Sequence, residues 1–257
     1  MPEPLLAVED IHTYYADSYI LQGLTFALEA GRIAAILGRN GMGKTTLVRS
    51  VANLTPPRRG DIRFKGHSLR GLPPHAVSQA GIALVPQGRR IFKSLSVREN
   101  LLLPTSVLTG RKPAGRSGAA ERSGAGRVWD LPAVLDEFPQ LAERIQNPGG
   151  ALSGGEQQML AVGRALMANP ELILMDEPSE GLSPRLVQQV GSMMKRLREH
   201  GLAILLVEQN LGLAMSVADD IFIVSSGRFV FQGSPAELAR DMSVMDKYLG
   251  VAADASG

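Results

Sequence analysis

The chain has 257 residues, 27 basic and 25 acidic, so its net charge of +2 supplies no strong field of the kind a nucleic-acid binder carries. It has no cysteine, which excludes disulfides and thiolate metal sites, and its histidines, His12, His67, His75 and His200, lack metal-ligand spacing. Its longest apolar runs, such as Leu172 to Met175 and Ala203 to Val207, fall far short of the roughly 20 residues that a bilayer span needs.

The N-terminus, MPEPLLAVED, has no basic stretch followed by a long apolar core, so it reads as the start of a strand and not as a signal peptide. Arg32 to Leu37 reads as a buried strand, followed by a glycine-rich loop and a helix from Lys44 towards Leu54, stopped by Pro56 and Pro57. The loop, Gly38-Arg39-Asn40-Gly41-Met42-Gly43-Lys44-Thr45, fits G-x-x-x-x-G-K-[ST] and lies between a strand and a helix. In such a loop successive N–H groups curl around phosphates, the lysine places charge on the β and γ phosphates, and the threonine hydroxyl ligates Mg²⁺. A chance Lys-Thr pair in a glycine-rich turn is the plainer alternative, and the strand and helix on either side argue against it.

Ile82 to Val85 reads as the next strand. From Pro104 to Arg127 the composition turns to Gly, Ala, Ser and Arg with one acidic residue, Glu121, as in a mobile surface insertion. Contact of its five basic residues with anionic lipid headgroups is the functional alternative. LSGGEQQ, Leu152 to Gln158, opens a helix through Ala161, Val162, Ala165 and Leu166, with Ser153 as N-cap and Glu156 closing a capping box. Caps do not explain Gly154 and Gly155, each about 1 kcal/mol worse than alanine in a helix. Bare backbone at the positive end of a helix dipole makes an anion site, and phosphate is the favoured anion.

ELILMDE, Glu171 to Glu177, brings two carboxylates to the end of an apolar strand, where open α/β sheets bind ligands. Asp176 is placed to hold the hydration shell of Mg²⁺, and Glu177 to orient or deprotonate an attacking water. Solvated acids at a strand end are the bland alternative, weak beside a phosphate loop. A helix over 184–199 follows, with Ser183 as cap, Pro184 in the first turn and Gly201 just past the end. Its stripe of Leu186, Val187, Val190, Met194 and Leu197 reads as core. Strands at Ala203 to Val207 and Ile221 to Val224, with a hairpin turn at Ser226-Gly227, complete a mostly parallel α/β pattern.

With GRNGMGKTT, LSGGEQQ and LMDEPSEGLSP in that order, the chain resembles ATP-binding cassette proteins over nearly its whole length. The resemblance implies an α/β fold: a P-loop NTPase core with an N-terminal antiparallel β-subdomain and a helical signature subdomain. It implies one domain over 1–257, with 1–87 and 166–257 as core and β-subdomain, and 88–165 as the helical part that carries the flexible insertion at about 104–127. ATP and Mg²⁺ are the implied ligands. Two subunits, identical or paralogous, would pair head to tail. Each ATP would then lie between Gly38, Arg39, Asn40, Gly41, Gly43, Lys44, Thr45 and Thr46 of one chain and Ser153, Gly154, Gly155 and Glu156 of the other. Gln87 would be the lid residue that senses Mg²⁺ and the γ-phosphate, joining Thr45 and Asp176 around the metal; apart from the family it is a loop glutamine after Pro86. Tyr15 would stack on adenine, with Tyr14 or a purely structural tyrosine as alternatives, and Ser179 to Pro184 would link the two ATP sites.

Most cassettes carry a histidine after the strand that here reads AILLVEQN, and this chain has Gln209. An amide donates and accepts hydrogen bonds but does not carry a proton in and out, which leaves the base role to Glu177; Lys44, Gln87 and Gln209 are the other residues to which the resemblance gives a catalytic part. VEQN, VPQGRRIF, LSGGEQQML and the KYLG segment resemble the ATPase subunits of high-affinity branched-chain amino acid importers, where glutamine at this position is usual. Importers of urea and short amides look nearly the same. That branch implies membrane permease subunits docked through a short cytoplasmic helix on the region 88–165, a solute-binding protein acting indirectly, and a peripheral place on the cytoplasmic face of the plasma membrane. Two other classes stay open. One is an ATPase for lipopolysaccharide or other export. The other is a soluble cassette of repair or translation, disfavoured because the chain has neither long coiled coils nor a second cassette.

Overall fold

The structure, a computed structural model, describes residues 3–108 and 127–250. Alternating apolar and polar residues near the N-terminus form an antiparallel sheet of β1 (Leu6–Tyr15), β2 (Ser18–Leu28), β4 (Arg59–Phe64) and β5 (His67–Ser68), in the order β2-β1-β4-β5. This is the N-terminal antiparallel unit that the resemblance implies. Continuous apolar runs build the second sheet, from β3 (Ile33–Leu37), β6 (Ile82–Val85), β7 (Leu172–Asp176), β8 (Ala203–Glu208), β9 (Asp220–Ser225) and β10 (Arg228–Gly233). Its order is β10-β9-β3-β8-β7-β6, and every pair is parallel except the β9–β10 hairpin. Ser226 and Gly227, at φ 48° and 75°, make the two-residue turn of that hairpin, both left-handed as a type I′ turn requires.

The second sheet is apolar throughout because both of its faces are covered. Ile33, Ala35 and Leu37 of β3, with Ile173, Met175, Ile204 and Leu206, join one core, together with Val97 and Leu101 of α3 (Val97–Leu108). The alternate residues Ala34, Ile36, Leu172, Leu174, Leu205 and Val207 join a second core with Leu47, Val48 and Val51 of α1 (Lys44–Val51) and the inward face of the N-terminal sheet. The remaining α-helices among the described residues are α2 (Pro74–Ala80), α4 (Leu131–Glu137), α5 (Pro139–Ala142), α6 (Gly154–Leu166), α7 (Pro184–Glu199), α8 (Leu211–Val217), α9 (Pro235–Arg240) and α10 (Met242–Val244). No helix among the described residues is long and apolar enough to cross a membrane.

Four local expectations need correction. Helix α1 ends at Val51, because Asn53 turns left-handed at φ 53° and the amides of Leu54 and Thr55 fold back onto the Arg49 carbonyl. Helix α3 continues through Pro104 to Leu108, held by Val97 and Leu101 in the core, so the helix and not an insertion occupies 104–108. Arg127, at the other end of the expected insertion, is tied to α4 by Nη2 bonds to Asp136 (2.6 Å) and the Ala133 carbonyl (3.2 Å). Residues 109–126 lie outside the described residues. Ser183 stands at the N-cap of α7 but its side chain makes no capping bond, so Pro184, preset for the first turn, marks that helix start.

Candidate functional site

Four neighbouring parallel strands, β3, β8, β7 and β6, end side by side, and the loops that leave their carboxyl ends carry the expected chemistry. The loop after β3 runs from Gly38 to Gly43 and enters α1, whose N-terminus has no side-chain cap. First-turn amides that lack intrahelical partners are thereby directed out of the helix end. Gly43 takes φ 106°, and a Cβ there would lie 2.8 Å from Leu21 Cδ2, so both conformation and space demand glycine. The buried Lys44 Nζ donates to the carbonyls of Gly38 (2.8 Å) and Arg39 (3.2 Å), folding back over its own loop.

The acids at the end of β7 meet this loop. Thr45 Oγ1 donates to Asp176 Oδ1 at 3.2 Å. Asp176 is 4% exposed; burial pushes its carboxyl up to about 6, the charge of Glu177 adds to the rise, and the Thr45 hydroxyl and Lys44 oppose it. Glu177, also buried, is held on both oxygens. Oε1 pairs with Lys44 Nζ at 3.2 Å and accepts from Gln209 Nε2 at 2.9 Å, while Oε2 accepts from Gln87 Nε2 at 3.2 Å. Its backbone is left-handed at φ 49°, a conformation that a non-glycine residue adopts only when the surroundings over-determine it, and one that clusters at active sites. Lys44, Thr45, Asp176, Glu177, Gln87 and Gln209 therefore form one cluster.

Tyr15 lies at the end of β1, 42% exposed, with no ring contact among the described residues. Tyr14 is engaged elsewhere: its ring stacks on Tyr19 with centroids 4.5 Å apart, and the Arg58 guanidinium lies over it. The segment Ser153 to Glu156 stands apart. Ser153 and Glu156 form the expected capping box on α6, and among the described residues no hydrogen bond or ion pair joins either to the Lys44–Glu177 cluster. Gly155 is buried, and a Cβ there would lie 2.6 Å from Leu186 Cδ2 of α7; at Gly154 the nearest group is the Arg89 guanidinium, 3.5 Å away. Packing against Leu186 is thus a second reason for glycine at 155, beside the backbone access expected of both Gly154 and Gly155.

Two acidic residues were not anticipated. Glu180 shares the Gln87 amide at 3.2 Å, and Glu208 fills the buried end of β8. A lone acid closing an apolar strand was the signal available for Glu208, the same one that marked Asp176.

A family model described as ABC transporter matches residues 21–180. The chain is 37% identical over 246 residues to the high-affinity branched-chain amino acid transport ATP-binding protein BraG of Pseudomonas aeruginosa, covering 96% of this chain and all (100%) of that one. It is 31% identical to the lipopolysaccharide export system ATP-binding protein LptB of Escherichia coli K12, covering 95% and 97%. Among solved structures, a nucleotide-free ATP-binding cassette from an ABC transporter superposes with a TM-score of 0.78 over 94% of this chain and 96% of that one, at 24% identity.

Proposed function

The chain belongs to the ABC transporter family as an ATP-hydrolysing subunit, and from that premise we propose that it energises uptake of branched-chain or related amino acids through a separate membrane permease. The observation that carries the catalytic part is the convergence of Lys44, Gln87 and Gln209 on the carboxylate of Glu177. The loop amides and Lys44 bind the phosphates of ATP. Phosphate oxygens compete with Glu177 for Lys44, and as Lys44 turns to them, Oε1 of Glu177 is released to accept from the attacking water. Gln209 keeps its amide on that carboxylate and so fixes its direction, which suits a side chain that does not itself carry the proton. Tyr15, exposed and without a ring partner among the described residues, stacks on the adenine.

The residues present fit Mg²⁺: the Thr45 hydroxyl lies 3.2 Å from the carboxylate of buried Asp176, and both are hard oxygen donors of the kind this ion takes. Thr45, Asp176 and Gln87 would hold it, and when bound it neutralises charge on the phosphates. Ser153, Gly154, Gly155 and Glu156 serve the ATP of a second subunit, a reading supported by the absence of any hydrogen bond or ion pair, among the described residues, between this segment and the cluster of its own chain.

The amino acid reading rests on the greater likeness to BraG, 37% against 31% for LptB, and export is the second reading for the same reason. The test is to copurify the chain with its membrane subunits, place the assembly in vesicles, and measure ATP hydrolysis with the cognate solute-binding protein. Stimulation by leucine, isoleucine or valine is expected. Stimulation by lipopolysaccharide alone, or by urea alone, would overturn the amino acid reading. A peripheral place on the cytoplasmic face of the membrane follows from docking on that permease.

A further inference from the structure

Glu208 closes β8 one residue before Gln209 and is only 2% exposed. A carboxylate so deep is costly unless its lone pairs are satisfied. Here backbone amides satisfy them: Oε1 accepts from the Ser179 N–H at 2.9 Å, and Oε2 from the N–H groups of Gln209 (3.0 Å) and Asn210 (3.2 Å). No cation pairs with it among the described residues. The amides come from two loops, one leaving β7 with Glu177 at its start, the other leaving β8 with Gln209. At the same junction the Glu177 N–H donates to the Val207 carbonyl at 2.8 Å, and Gln209 Nε2 reaches Glu177 Oε1 at 2.9 Å.

We propose that Glu208 is a positioning residue for hydrolysis: it clamps the loop of Glu177 to the loop of Gln209, so that the Gln209 amide and the Glu177 carboxylate stay in register, and it touches no substrate itself. A charged acceptor suits the task, because one anion takes several N–H donors in short, charge-assisted bonds. The clamp also accounts for the left-handed backbone of Glu177, which is fixed two residues away by the Ser179 amide and at its own amide by Val207. The proposal rests on the reading that Gln209 orients Glu177 for its work on water.

A double-mutant cycle on the full-length chain tests it, with kcat, the KM for ATP and the melting temperature measured for Glu208→Gln, Gln209→Ala and the double variant. Glu208→Gln keeps the size of the side chain, but its NH₂ group is no acceptor, so the amides of one loop lose their partner. We expect kcat to fall by no more than Gln209→Ala itself costs, about three- to tenfold, with KM within about twofold. In the Gln209→Ala background, Glu208→Gln should cause no further loss. Multiplying losses in the double variant, or unchanged kcat beside a lowered melting temperature, would make Glu208 a stability residue and overturn the proposal. If Gln209→Ala alone leaves kcat intact, the reading of Gln209 fails first and takes the clamp with it, a result distinct from failure of the clamp alone. Should Glu208→Gln not fold, Glu208→Asp, with both acceptor oxygens on a shorter stem, completes the same cycle.

Discussion

Glu177 has every oxygen occupied before any nucleotide arrives, by Lys44 and Gln209 on one side and Gln87 on the other. On the proposed reading of Glu177 as base, these contacts align it and quench it until phosphates draw Lys44 off. Glu177→Gln should therefore lower kcat by about 10²-fold or more, the scale of a lost general base. Gln209→Ala, which removes one orienting amide, should cost about three- to tenfold. Equal large losses in the two variants would show that the roles are not divided this way. Asp176 makes a separate prediction about pH. Burial raises its carboxyl from 3.8 for a free side chain to about 6 in the folded chain, so the folded state holds the extra proton between those values. That contribution to stability is present at low pH and is lost as the pH rises through about 6. Asp176→Asn should then raise the melting temperature of the nucleotide-free protein at pH 8, by roughly 2–4 °C for each kcal/mol relieved, and the gain should shrink as the pH approaches 4. A gain that stays constant across that range would acquit Asp176 as the titrating group.

At the scale of elements, α6 and α7 meet where Gly155 faces Leu186, and a methyl group there would sit 2.6 Å from Leu186 Cδ2. Gly155→Ala should lower the melting temperature, with part of the loss restored by adding Leu186→Ala, because the clash and its relief share one pair of atoms. Gly154→Ala separates packing from chemistry. Its nearest neighbour is the flexible Arg89 guanidinium, so the fold should tolerate it, while hydrolysis should fall if the bare backbone serves an anion. Normal turnover together with normal stability would remove the anion role from Gly154. Sequence patterns read these elements well where a short-range rule governs them: the Ser153–Glu156 capping box, the start of α7 at Pro184 and the Ser226-Gly227 turn all depend on residues within a few positions of one another. They failed at Pro104, where composition changes but burial of Val97 and Leu101 against α6 carries the helix on to Leu108.

For the molecule as a whole, no hydrogen bond or ion pair among the described residues joins the Lys44–Glu177 cluster to the Ser153–Glu156 segment of the same chain. Two subunits paired head to tail would bring one to the other. Mixing a Lys44→Ala chain with a Gly154→Asp chain, each inactive alone, should recover ATP hydrolysis, because the mixed dimer holds one site with an intact phosphate loop and an intact signature. Mixed dimers that form and stay inactive would count against sites shared between chains. The sequence by itself determined the phosphate loop, the acids of β7, the parallel strand pattern and the family, because each is written in contiguous residues whose spacing is fixed by local backbone geometry. Tertiary structure alone decided that Gln87, Gln209 and Lys44 converge on one carboxylate, that Gly155 lies against Leu186, and that Glu208 joins two loops. Those contacts span 29 to 133 positions of chain wherever they leave their own loop, as from Ser179 to Glu208 (29), from Gln87 to Glu177 (90) and from Lys44 to Glu177 (177 − 44 = 133). Only the order of strands in the sheet brings such residues to one edge.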